Sequence, residues 1–180
     1  MTLPDPLPAR FTATLDARVR ALVVHPILKG GRQLVEVPAH GDPPLALHVD
    51  VDTEAGTIQL TAFPELSDAV ATAIGRVKAS IQVVGEPEGD FRAADGRVRI
   101  SVPLRLNAKH LLARGSDITV DLSTDGVLEQ PELTTAGDPF DAGDPIAELV
   151  GSGKFEGGSL KGGTLFLSLH SEVQSVDVTG

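Results

Sequence analysis

Cysteine, tryptophan and tyrosine are all absent from this 180-residue chain, and phenylalanine occurs only six times. Without cysteine there can be no disulfide, thiolate metal site, iron–sulfur ligation or cysteine nucleophile. Without tryptophan and tyrosine, the usual ring platforms for sugars and single-stranded nucleic acid are missing. Positive charge is also scarce: 15 Lys and Arg face 25 Asp and Glu, a formal net charge of −10. The cations are scattered singly, as in Val98-Arg99-Ile100, and form no basic patch. Such a surface repels phosphate backbones and anionic membranes, so no nucleic acid partner is expected.

Long apolar runs are missing too, and no membrane insertion is expected. A transmembrane barrel is disfavoured because its strands need aromatic girdles. The opening MTLPDPLPARF has no charged segment followed by an apolar one, so it does not read as a signal peptide. The favoured location is nonetheless outside the cytoplasm of a bacterium, any export signal lying outside these residues.

Apolar residues make up 41% of the chain and recur along its whole length, enough to build a core. Three prolines keep residues 1–10 extended and unpaired, and residues 11–180 read as a single β domain. From Phe11 the spacing is two. Phe11, Ala13, Leu15, Ala17, Val19 and Ala21 share one face, with polar residues between them. The same alternation marks strands at 33–37, 45–52, 57–62, 78–84, 98–106, 118–122 and 165–169, with a short one near Phe91. Pro103 inside one of these runs predicts a sheet edge or a bulge. In PELSDAVATAIGRV, Leu66, Val70, Ala73, Ile74 and Val77 lie three to four apart. That spacing predicts a short helix starting near Pro64, ending near Gly75 and capping one end of the fold. A second helical turn is expected at 107–115, with Asn107 as cap and Gly115 as terminator. Residues 129–146 read as a long loop. Together these features predict a mainly β protein: an antiparallel β-sandwich or closed β-barrel of eight to ten short strands with one or two short helices.

Residues 150–169, VGSGKFEGGSLKGGTLFLSL, superficially suggest a phosphate-binding loop. However, Phe155 follows Gly153-Lys154 where a hydroxyl is required, and Glu148 stands where the first glycine should be. The stretch reads as strand, bend, strand, its glycines allowing sharp bends or close approach of a neighbouring strand.

The sharpest chemical candidate is HVDVD. His48, Asp50 and Asp52 share one strand face and offer an imidazole and two carboxylates, good ligands for a hard metal. His110 or His170 could supply a third ligand, as in a facial triad. Against a catalytic iron, the opposite face carries Leu45, Leu47, Val49 and Val51, which puts His48 on the wet side. Asp50, Asp52 and Glu54 also imitate the start of a calcium loop, but Ala55 and Thr61 replace its essential Gly and Glu. No Gly-x-Ser-x-Gly elbow occurs; Ser152 lies in a GSG.

The favoured functional reading is a non-catalytic binding or assembly domain with no cofactor, acting through a protein partner or self-association. The first alternative is a carrier whose barrel cavity holds a lipid or other apolar small molecule. The second is a metal-dependent enzyme using His48 and Asp50.

Overall fold

A computed structural model describes residues 5–38, 42–63, 65–72, 75–108, 115–127, 130, 133 and 147–178. Eleven antiparallel strands form one sheet: β1 (Arg10–Val24), β2 (Arg32–Val37), β3 (Leu45–Asp52), β4 (Thr57–Ala62), β5 (Leu66–Thr72), β6 (Gly75–Val83), β7 (Glu88–Arg92), β8 (Arg97–Ala108), β9 (Ser116–Ser123), β10 (Ala147–Lys154) and β11 (Thr164–Val178). Eight of them close a barrel in chain order: β1, β3, β4, β7, β8, β9, β10 and β11, with β11 returning to β1. The barrel is the alternative that the sequence left open beside a sandwich. Its strands are not uniformly short, since β1 and β11 each run 15 residues.

The remaining strands extend the wall. β3 pairs with residues 10–17 of β1, and β2 pairs with residues 19–24 on the same side. On the other flank, β7 pairs with residues 97–100 of β8 and β6 with residues 104–108. Thus β2 with β3, and β6 with β7, each act as one broken strand along a continuous neighbour. The strand beyond the eight to ten read from the sequence is β5, which occupies residues whose spacing predicts a helix. β2 and β5 run close together, but no ladder joins them among the described residues. Pro103 lies where β8 changes partners. Its carbonyl accepts from the Val84 N–H at 2.8 Å, so its ring nitrogen faces the same gap, where no donor is needed.

The helix expected from Pro64 to Gly75 is not formed. Its described residues belong to the β5–β6 hairpin, in which Leu66 stands opposite Ile81 and Val70 opposite Val77. Apolar residues spaced by three to four here reflect pairing across a turn, not one helical face. Gly75, read as a helix stop, takes a φ of 126° at the hairpin, a conformation open to glycine. The second expected helical turn lies mostly at 109–114, outside the described residues. Asn107 is in β8 opposite Ser80, and Gly115 immediately precedes β9. Of the 129–146 loop, only Gln130 and Leu133 are described.

Two irregularities bend the wall. One extra residue in β11, Gln174, separates the pairs Thr14–Ser175 and Leu15–Val173. One extra residue in β4, Thr61, separates His48–Ala62 from Val49–Leu60. Such bulges supply the curvature that closure requires. β10 contributes another device. A side chain at Gly151 or Gly153 would drive into the β9 backbone, at Asp121 and Thr119 respectively. These bare positions let the two strands approach closely, which answers what two of the six glycines in the 150–169 stretch accomplish.

Inward residues of the ring form one apolar core, including Val19, Leu47, Val120 and Leu165. The far half of the barrel, towards Val24 and Lys154, is filled. Phe155 and Leu160 from the β10–β11 connection, and Leu28 from the β1–β2 connection, pack into the core there. The near half, towards Arg10 and Arg97, is not filled.

Candidate functional site

The HVDVD face is the outer face of β3, as the alternation predicts. Each of its three polar residues stands opposite a polar residue of β1: His48 opposite Thr14, Asp50 opposite Thr12 and Asp52 opposite Arg10. Thr14 Oγ1 and His48 Nδ1 lie 3.2 Å apart, and Thr12 Oγ1 donates to Asp50 Oδ1 at 2.6 Å. Arg10 Nε donates to Asp52 Oδ2 at 2.8 Å. The second Asp52 oxygen accepts the Ala55 N–H at 2.7 Å, closing the β3–β4 turn. That backbone bond, assisted by the Arg10 guanidinium, holds the Asp52 carboxyl below its ordinary range. The three side chains are therefore spread along a strand and engaged by β1. Among the described residues, no three His, Asp or Glu side chains converge as a metal-binding group. His170 lies across β1 from β3, opposite Arg18, and is buried with no partner at Nε2 among the described residues. His110 lies outside the described residues.

The inner face offers a different kind of site. The near half of the barrel encloses a cavity of about 130 Å³. Every one of the eight ring strands contributes to its wall: for example Ala13 from β1, Val49 from β3, Leu60 from β4, Phe91 from β7, Ile100 from β8, Val120 from β9, Leu149 from β10 and Leu167 from β11. Among the described residues, Ser171 is the one polar side chain on that wall, and it is buried. Phe63, at the break between β4 and β5, lines both the cavity and an outer groove with Ala46, His48 and Val83.

The rim of this half carries charge that is already matched. Arg10 pairs with Asp52 at 2.8 Å; Arg97 lies 3.3 Å from Asp95 and 3.1 Å from Asp125; Arg99 reaches Asp125 at 3.4 Å. Arg92 also pairs with Asp95. The Arg92 bond holds the Asp95 carboxyl below its usual range, and the same contact raises the Arg92 guanidinium. Beneath this rim, Thr53 donates from its N–H to the Ala9 carbonyl at 2.8 Å, and Leu7 packs against the core. The N-terminal segment is thereby tied to the hollow end.

The apolar wall was legible in the sequence as alternation, but the void was not. A filled core and a hollow one require the same inward pattern. The Arg10–Asp52, Arg97–Asp125 and Arg99–Asp125 pairs of the rim escaped sequence reading because they join strands far apart in the chain.

These features define a closed, eight-stranded, up-and-down β-barrel with an apolar interior space. No protein-family model, curated protein or solved structure matches the chain. No helix among the described residues is long and apolar enough to cross a membrane.

Proposed function

We propose that this protein is a non-catalytic binding barrel that encloses an apolar small molecule. The observation that carries the reading is the cavity walled by all eight ring strands, with Ser171 as the one polar side chain among the described residues that line it. An eight-stranded barrel is just wide enough either to be filled by its own side chains or to hold one small ligand. Here one half is filled and the other is not. An apolar recess with few polar groups is the usual character of a small-molecule site, and it offers no acid, base or nucleophile pair for catalysis. The test is native mass spectrometry of protein purified gently from its source, followed by organic extraction. A retained, stoichiometric apolar molecule supports the reading. Protein that carries nothing and binds no apolar probe in solution removes it.

A further inference from the structure

The size, wall chemistry and rim of the cavity together restrict what it can accept. At about 130 Å³, it is smaller than the roughly 300–1,000 Å³ typical of sites for drug-sized ligands. It is close to the roughly 150 Å³ of an apolar protein cavity that stays dry and admits benzene or xenon. Three of the six phenylalanines, Phe11, Phe63 and Phe91, line it. Their rings can meet another ring edge-on or offset, contacts that add to the gain from burial alone.

Charge is excluded on two levels. Among the described residues, no Lys, Arg, His, Asp or Glu lines the cavity, so an ionised group placed inside would lose its hydration without gaining a counter-ion there. The arginines of the rim, Arg10, Arg92, Arg97 and Arg99, already face Asp52, Asp95 and Asp125. An anionic headgroup held at the mouth would meet arginines whose charge these carboxylates already offset.

Building on the binding reading above, we infer that the ligand is compact, uncharged and apolar, about the size of a single ring, and that fatty acids and other ionised amphiphiles are rejected.

The experiment titrates the full chain with benzene and, separately, with palmitate. Binding is followed by calorimetry and thermal melting, and xenon NMR reports independently on the void. Benzene should bind saturably at one site and raise Tm by about 3–6 °C at roughly ten times its Kd. Palmitate should give neither signal. Ala13→Leu, which fills part of the void, should weaken benzene binding at least tenfold (an order-of-magnitude expectation from lost space) and reduce the xenon shift. Should that variant fail to fold, Val49→Ile serves the same purpose. Saturable palmitate binding that benzene displaces would overturn the ligand class and leave the binding reading intact. Benzene affinity unchanged in a folded cavity-filling variant would place the ligand elsewhere and overturn the inference. If benzene, palmitate and xenon all fail to enter, the inference and the binding reading fall together.

Discussion

The near and far halves of the barrel achieve closure in opposite ways. In the near half, β1, β3, β4, β7 and β8 are joined in turn by ladders, with one bulge at Thr61, yet the interior is hollow. In the far half, no ladder joins β2 and β5 among the described residues, yet the interior is packed by Phe155, Leu160 and Leu28. Backbone hydrogen bonds thus hold the part that side chains leave empty, and side chains hold the part that the ladders leave open. The contrast shows that a closed wall and a filled core are separable solutions. A chain can keep a void where its backbone network is continuous, because that network does not depend on what the inward side chains touch.

Four substitutions would break or sharpen the contrast. The largest effect should come from Phe155→Ala. Phe155 is buried in the filled half, and truncation should cost about 3–5 kcal/mol by denaturant unfolding. A loss below about 1 kcal/mol would mean that the far half is not held by packing. Next, the same change placed at two positions of one strand should have opposite signs. Ala21→Leu, in the filled half, should destabilise by about 1–3 kcal/mol through overpacking. Ala13→Leu, facing the void, should be neutral or stabilise by up to about 2 kcal/mol. Equal losses at the two sites would erase the distinction between the halves.

The smallest effect concerns the rim. Asp52 has a folded-state pKa depressed below its ordinary 3.8, chiefly by the Ala55 N–H. A depressed carboxylate stabilises the fold above its unfolded pKa, and that contribution is lost as pH falls through the folded value. The Tm difference between wild type and Asp52→Ala should therefore be present above pH 3.8 and shrink below it. A difference that is constant from neutral pH into strong acid would show that the carboxylate charge plays no part in the turn.

Much of the wall could be read directly from the chain. The two-residue spacing of Phe11 to Ala21, Leu45 to Val51 and Val98 to Leu106 marks the inward faces, because a one-residue slip would expose the whole set. It also placed His48, Asp50 and Asp52 outside. What the spacing could not supply was register. That Thr14, Thr12 and Arg10 would engage those three residues depends on how two distant strands align. The β5–β6 hairpin was misread for a related reason. Val70 and Val77 are seven apart, a distance that fits two helical turns as well as a pair facing across a turn. The void itself follows from how curvature, bulges and side-chain volume combine, and no local pattern encodes that sum.

The staggered partners of β1 and β8 have a consequence for motion. The interruptions between β2 and β3, β4 and β5, and β6 and β7 fall at one height of the barrel, where Phe63 sits with Val84 and Gly85 nearby. Protection of amides against hydrogen–deuterium exchange should dip at this girdle and rise again above and below it. A solute passing between solvent and the interior would find its least-defended crossing there, through the side of the barrel rather than down its axis.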